Sequence, residues 1–141
     1  MGINPANTIL SSDGKIKKYN KNVKFHTLVV KPSFGCSTKY VYSKVKSFSR
    51  PQFVYPKSTM FKAEYLKTLN NDLEKIVFKK YPKLEIIKSF LSSTPNNIFV
   101  RMSGSGSSIV AYFHSRRACG NAYDQFKRKF SSHWCIISKT I

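Results

Sequence analysis

The chain has 141 residues, 41% hydrophobic and 14% aromatic, which supports one packed domain and excludes a globally disordered protein. With 25 Lys and Arg against 6 Asp and Glu, its formal charge is +19, which favours partners that carry phosphate or other anions. The sequence contains neither an apolar run of membrane-spanning length nor the hydrophobic segment of a signal peptide, so we expect a cytoplasmic protein.

The sequence predicts both strands and helices. The first part of the chain is predicted as an irregular segment with a turn at Asp13-Gly14 (1–22), a strand (25–31), a helix that is capped by Ser37 or Thr38 and runs to about Ser47, and a loop (48–58). Three helices are predicted next: one over 59–69, one that Asn71 and Glu74 open in a capping-box arrangement and that ends at Tyr81-Pro82, and one with the apolar stripe Leu84, Ile87 and Leu91. The last part is predicted as strands at 98–100 and 109–113, a helix (116–130) and a strand (134–137). This order predicts an α+β two-layer domain with helices on one face of an antiparallel-rich sheet.

The stretch between the two predicted hairpin strands, residues 101–108, is the most informative part of the sequence. It contains two glycines and four serines and has no bulky side chain after Met102. Glycine permits positive φ and close approach of a phosphate, and successive N–H groups in such a turn can bind an anion. A flexible hairpin loop fits the same residues. The pattern matches neither the P-loop nor the dinucleotide-binding fingerprint.

The remaining polar residues predict no catalytic or metal site. The cysteines and histidines are isolated from one another, at Cys36, Cys119, Cys135, His26, His114 and His133, so we interpret the thiols as reduced and expect no metal. The carboxylates are Asp13, Glu64, Asp72, Glu74, Glu85 and Asp124. Four of them are predicted within helices as solvated surface charges, and Asp72 is predicted to cap a helix. No acid–base pair or nucleophile constellation is present in the pattern.

Three motifs in a fixed order resemble a known family. They are Lys31-Pro32 followed by Cys36-Ser37-Thr38 and Tyr42, then Asn71-Asp72-Leu73-Glu74, then residues 101–107. Together they resemble the C-terminal half of the 4-diphosphocytidyl-2-C-methyl-D-erythritol kinases, a family of the GHMP kinase superfamily, over residues 22–138. The resemblance implies a ferredoxin-like two-layer sandwich over residues 23–141, and it implies that residues 1–22 are the remnant of an N-terminal half.

The resemblance also implies roles for individual residues. The loop residues Ser103, Gly104, Ser105, Gly106 and Ser107 match a motif that closes over the phosphates and substrate. Thr38 matches a threonine near the acceptor hydroxyl, and Tyr42 matches an aromatic residue that stacks on cytosine. From the residues alone, Thr38 could equally cap its helix and Tyr42 could equally belong to the core. We interpret Asn71 and Asp72 as structural.

The departures from the family motifs limit the activity that we expect. The glycine-rich phosphate loop, the Gly-Ala-Asp segment with the catalytic Asp, and the accompanying Lys do not occur in these 141 residues. The complete family enzyme uses ATP with Mg²⁺ to phosphorylate a 2-hydroxyl in non-mevalonate isoprenoid synthesis. Phosphoryl transfer depends on positioning and on stabilising phosphate charge. We therefore predict no catalytic residue, no cofactor and no kinase activity for this chain alone.

Two partners follow from the resemblance, namely a separately encoded N-terminal kinase half and a small molecule of the cytidine diphosphate type. Two other functions stay open. The charge favours a basic nucleic-acid-binding module, although the sequence has no RNP-like motif or clustered basic stripe. A non-catalytic small-molecule-binding domain that retains Tyr42 is the other alternative.

Overall fold

The computed structural model describes residues 7–10, 14–19, 23–50 and 57–140. Its strands are β1 (Asn7–Leu10), β2 (Ile16–Tyr19), β3 (His26–Lys31), β4 (Asn97–Met102), β5 (Ile109–Phe113) and β6 (Trp134–Lys139). Its helices are α1 (Thr38–Ser43), α2 (Ala63–Leu66), α3 (Glu74–Lys80), α4 (Pro82–Ser92) and α5 (Arg116–Lys129), with a 3-10 turn at Ser58–Phe61.

A four-stranded antiparallel sheet organises the fold. Its strand order is β4-β5-β3-β6, so β3 is central and pairs with β5 on one side and β6 on the other. The helices α4 and α5 pack against the sheet, α4 on β4 and β5, and α5 on β3, β5 and β6. The α+β prediction with an antiparallel sheet is therefore confirmed.

The core lies between the helices and one face of the sheet. On β5, Ile109, Ala111 and Phe113 are buried while the alternate residues are only partly buried, as expected for a strand with one face in the core. The predicted stripe Leu84, Ile87 and Leu91 is also buried, and it forms one cluster with the β5 residues. The 3.6-residue period of α4 and the 2-residue period of β5 thus supply the two halves of one apolar layer.

Three sequence-based predictions about local structure are wrong. Part of the segment predicted as irregular forms the antiparallel pair β1–β2; at the predicted Asp13-Gly14 turn, only Gly14 belongs to the described residues. The segment 59–69 is a 3-10 turn followed by one turn of helix, because Lys62 between them is extended (φ −71°, ψ 151°). Helix α1 ends at Ser43, four residues earlier than predicted.

The later elements agree with the sequence analysis. Helix α3 ends at Lys80, directly before Tyr81-Pro82, since the residue before a proline is disfavoured in helical conformation. Helix α5 buries Cys119, Ala122 and Phe126 along one face. No helix in the described ranges combines the length and hydropathy needed to cross a membrane.

Candidate functional site

The glycine loop, residues 103–108, joins β4 to β5 as a tight turn. Ser103 N–H donates to the Ser108 carbonyl at 2.9 Å, and Gly106 N–H donates to the Ser103 carbonyl at 3.0 Å. Gly104 and Gly106 adopt left-handed φ values of +53° and +84°, a region that residues with a Cβ avoid. The peptide bond between Gly106 and Ser107 is cis.

Gly106 is also required by its neighbours. A Cβ at this position would lie 3.0 Å from the Met102 sulfur and 3.2 Å from the Cys36 sulfur. Cys36 is half-buried against the core, and burial raises the pKa of its thiol. The thiol therefore stays neutral and acts as an apolar support beneath the loop rather than as a nucleophile.

The loop presents unused backbone donors. Within the described part of the chain, the N–H groups of the adjacent Gly104 and Ser105, like those of Ser107 and Ser108, form no hydrogen bond to protein. Adjacent free N–H groups in a glycine-containing turn are the feature that binds phosphate or carboxylate oxygens. The loop therefore has the chemistry of an anion site.

Thr38 reaches this loop with its side chain. Its hydroxyl oxygen lies 3.0 Å from the hydroxyl oxygen of Ser105, at hydrogen-bond distance. The capping role left open for Thr38 belongs instead to Ser37, whose hydroxyl accepts a hydrogen bond from Tyr40 N–H at 3.2 Å. The structure thus brings Thr38 and Ser105 together, although they are 67 residues apart in sequence.

Tyr42 lies one helical turn after Thr38, on the same side of α1. Its side chain is 53% exposed, so the alternative assignment of Tyr42 to the core is wrong. An exposed aromatic ring can stack on a planar base.

Asn71 is joined to the loop rather than to its own helix. Its Nδ2 donates to the carbonyl of Met102 at 3.0 Å and to the carbonyl of Gly104 at 2.8 Å. Its Oδ1 accepts from Leu73 N–H at 3.0 Å. The predicted capping box is therefore wrong, because α3 begins at Glu74 and has no side-chain cap at Leu73.

Glu74 makes the matching contact on the other side of Met102. Its carboxylate accepts from Met102 N–H at 2.8 Å and pairs with the ammonium of Lys88. The prediction of a solvated surface charge is wrong for Glu74, whose side chain is 14% exposed. Asp72 accepts from both the N–H and the hydroxyl of Ser49, at 2.8 and 2.9 Å, instead of capping a helix.

Arg101, the cation nearest to the loop in sequence, is turned away from it. Its guanidinium donates to the Leu66 carbonyl at 3.2 Å and lies 5.1 Å from the centre of the Phe99 ring. Burial lowers the pKa of Arg101, and the negative charge of Glu74 partly offsets that effect. The loop therefore depends on N–H and hydroxyl donors, with no contribution from this guanidinium.

The loop is exposed at Ser103 and Gly104 and buried at Ser107. Two surface clefts of about 520 and 560 Å³ are lined by other residues. They are Ala63, Glu64, Lys67, Asn96, Asn97, Ile98, His114 and Ser115 for the first, and Lys31, Pro32, Ser33, Ser132 and Trp134 for the second. In the described residues, no three His, Cys, Asp or Glu side chains are grouped as for a metal.

Comparison with known proteins identifies the family. The family described as "GHMP kinases C terminal" matches residues 61–132, about half of the chain and including the loop. The chain belongs to the GHMP kinase family. It spans about half the length of the curated relatives it matches.

Two of these relatives are 4-diphosphocytidyl-2-C-methyl-D-erythritol kinases. The protein of that name from Pelagibacter ubique (strain HTCC1062) is 64% identical over 141 residues, which cover 100% of this chain and 50% of the relative. The one from Clostridium botulinum (strain Hall) is 33% identical over 130 residues, covering 86% of this chain and 45% of the relative.

Solved structures agree on the fold of this GHMP kinase domain. A crystal structure of 4-(cytidine 5'-diphospho)-2C-methyl-D-erythritol kinase superposes with a TM-score of 0.68 at 20% identity, covering 88% of this chain and 46% of the other. A homoserine kinase from Cytophaga hutchinsonii gives 0.66 at 13% identity, covering 95% and 47%. At these identities the likeness concerns the fold, and the predicted GHMP kinase C-terminal fold is confirmed.

Sequence reasoning predicted a candidate site at the loop, Thr38 and Tyr42 but missed the hydrogen bonds that Asn71 and Glu74 make around the loop. Their spacing of three residues fits a local capping box, and a local explanation left no reason to search for partners about 30 residues further along the chain. The available signal was the fixed order of the Asn-Asp-Leu-Glu motif and the glycine loop.

Proposed function

We propose that this chain is the substrate-contacting half of an ATP-dependent 4-diphosphocytidyl-2-C-methyl-D-erythritol kinase of non-mevalonate isoprenoid synthesis. Support comes from the 64% identity to a Pelagibacter protein of that name over the whole chain. The observation that carries the proposal is the pair of unused N–H groups at Gly104 and Ser105, with Thr38 3.0 Å from the Ser105 hydroxyl.

Each group has a defined task in this proposal. The N–H groups of Gly104 and Ser105 bind phosphate oxygens and stabilise charge that develops there during transfer. The hydroxyls of Thr38 and Ser105 orient the acceptor end of the substrate. Tyr42 stacks on the cytosine ring and fixes the far end of the same molecule.

The phosphate loop and the catalytic carboxylate come from outside these 141 residues in this proposal. The carboxylates of Asp72 and Glu74 are bonded to Ser49, Met102 and Lys88, so they do not fit the role of Mg²⁺ ligands or of a general base. Mg²⁺ accompanies ATP rather than these residues. The chain alone accordingly has no phosphotransferase activity.

Binding of cytidine diphosphate tests the substrate class. Calorimetric titration should show saturable binding to the wild-type chain. Stacking on an aromatic ring contributes about 1–3 kcal/mol per base, so Tyr42→Ala should weaken binding about 5- to 160-fold. Tyr42→Phe, which keeps the ring, should bind within about twofold of wild type. Unchanged affinity of Tyr42→Ala would exclude the stacking role.

An activity assay tests the division of labour. The purified chain should convert no ATP in the presence of 4-diphosphocytidyl-2-C-methyl-D-erythritol. The Pelagibacter relative is 64% identical to this chain over half of its own length. Adding the N-terminal half of that relative should produce turnover. Turnover by this chain without that addition contradicts the proposal, while ligand binding without turnover in either mixture supports a non-catalytic small-molecule-binding domain.

The net charge of +19 supports one other function, binding of nucleic acid. That interaction would weaken steeply with salt because it depends on release of counterions. Titration of an arbitrary RNA at two salt concentrations, beside cytidine diphosphate, separates the two. Salt-resistant binding of cytidine diphosphate combined with salt-sensitive RNA binding favours the kinase proposal.

A further inference from the structure

Both polar atoms of the Asn71 carboxamide form hydrogen bonds to backbone groups in and near the loop. Both hydrogens of Nδ2 are used, one on the Met102 carbonyl at 3.0 Å and one on the Gly104 carbonyl at 2.8 Å. Its oxygen accepts from Leu73 N–H. A side chain with no remaining donor is unsuited to bind a ligand directly, so its role must be exerted through the loop.

The bond to Gly104 determines the direction of a neighbouring donor. The peptide between Gly104 and Ser105 is trans, since the cis bond among the described residues lies at Gly106–Ser107. In a trans peptide the C=O and N–H groups point in opposite directions. Because the Gly104 carbonyl points to Asn71, the Ser105 N–H points away from Asn71. That N–H is one of the unused donors of the loop.

No other described residue holds this peptide by its carbonyl. Glu74 holds Met102 at its N–H, and Thr38 contacts Ser105 only at its hydroxyl. Gly104 has a left-handed φ of +53° and no atom within 4 Å of a built Cβ, so packing does not restrain it. The turn bond from Gly106 N–H to the Ser103 carbonyl closes the loop around this peptide but uses neither its C=O nor its N–H. The bond from Asn71 is therefore the one that sets which way the peptide faces.

We infer that Asn71 is a positioning residue that aims the Ser105 N–H at a phosphate oxygen of the ligand. The inference rests on the proposed binding of phosphate by the loop. It gives the Asn-Asp-Leu-Glu motif an indirect role in ligand binding, through the hydrogen bonds of Asn71 to the carbonyls of Met102 and Gly104.

Inorganic pyrophosphate is the probe, and amide NMR spectra of the 141-residue chain are the measurement. In the wild-type chain, pyrophosphate should shift the Ser105 amide resonance more than the amides outside the loop. Asn71→Ala should weaken pyrophosphate binding at least about tenfold, the expected effect of losing one aligned hydrogen bond to a charged group. Asn121→Ala, the same change at an exposed position on α5, should bind within twofold of wild type.

The outcomes separate the inference from the proposed function. If wild type binds pyrophosphate and Asn71→Ala, still folded, binds it equally well, the positioning role is overturned while phosphate binding stands. If wild type binds with shifts that avoid the Ser105 amide, the positioning role is overturned even where the variant fails to fold. If pyrophosphate does not bind at all, the phosphate role of the loop fails, and the proposed function and the inference fail together; cytidine diphosphate titration then shows whether the base site remains.

Discussion

The helix-covered face of the sheet and the glycine loop at its end are held by different forces. On the face, Phe113, Phe126 and Leu84 are 0% exposed and pack in one apolar cluster. At the loop, the restraints are directional hydrogen bonds: Asn71 donates to the carbonyls of Met102 and Gly104, and Glu74 accepts from Met102 N–H. Apolar packing is strong but tolerates small rearrangements, whereas hydrogen bonds fix direction and contribute less stability each. Changes on the face should therefore alter stability, and changes at the loop should alter binding.

Phe126→Ala should produce the largest loss of stability. Removing a fully buried phenylalanine leaves a cavity and costs about 3–5 kcal/mol, so the midpoint of urea unfolding should fall strongly. Ile86→Ala on α4 serves as the control, since Ile86 is 57% exposed, and should change the free energy of unfolding by less than about 0.5 kcal/mol. Comparable losses in the two variants would contradict the position of the core.

Three glycine-to-alanine variants should differ in stability and in pyrophosphate binding according to the backbone conformation and the surroundings of each glycine. Gly106→Ala combines a left-handed φ of +84° with contacts to two sulfur atoms, and should cost about 1–3 kcal/mol and abolish pyrophosphate binding. Gly104→Ala has strain without contacts and should cost about 1–2 kcal/mol. Gly35→Ala meets no atom within 4 Å and should leave both properties near wild type. A different order of the three variants in thermal unfolding would contradict this geometry.

The buried thiol on α5 gives the face a dependence on pH. Burial raises the pKa of Cys119 from 9.0 to about 11, so the folded chain retains a proton that the unfolded chain loses. Its contribution to stability is full below pH 9 and is lost as pH rises from about 9 to about 11. The difference in free energy of unfolding between wild type and Cys119→Ala should therefore shrink between about pH 9 and pH 11. A constant difference would argue against the raised pKa.

Tyr42→Ala should have the smallest effect on stability. The side chain is 53% exposed, so its removal should change the free energy of unfolding by less than about 0.5 kcal/mol, measured in the same urea titration as Phe126→Ala. If Tyr42→Ala instead destabilises the chain by several kcal/mol, Tyr42 supports the fold and the separation of face and site fails.

The same division explains how far the sequence could predict the structure. The core on the helix-covered face can be predicted from periodicity. Leu84, Ile87 and Leu91 repeat at helical spacing, and Ile109, Ala111 and Phe113 alternate along a strand. The loop was predicted as an anion site because its glycines and serines are chemically distinctive, and Thr38 was predicted beside it only from the resemblance to a family motif. Periodicity carries no information on polar contacts between distant segments, so the partners of Asn71 and Glu74 required coordinates.

Short helices were the other part of the structure that the sequence did not predict correctly. The helix predicted over 59–69 is interrupted at Lys62, where the chain is extended between two single turns. Phe61 and Ala63 on either side are both buried, which indicates that tertiary packing rather than helical propensity sets the backbone there. An apolar period of three or four residues over one or two turns does not distinguish these cases.

The central position of β3 has a consequence for synthesis on the ribosome. One neighbour of β3 is β6, and in chain order these two are the earliest and the latest strand of the four-stranded sheet. Beside them, the Phe25 N–H donates to the Thr140 hydroxyl, 115 residues further along the chain. A nascent chain cannot complete this sheet until β6 has emerged. Until then the central strand has an unpaired edge, which is open to pairing with other chains. We expect that ending translation before Trp134 yields protein that aggregates rather than a smaller folded domain.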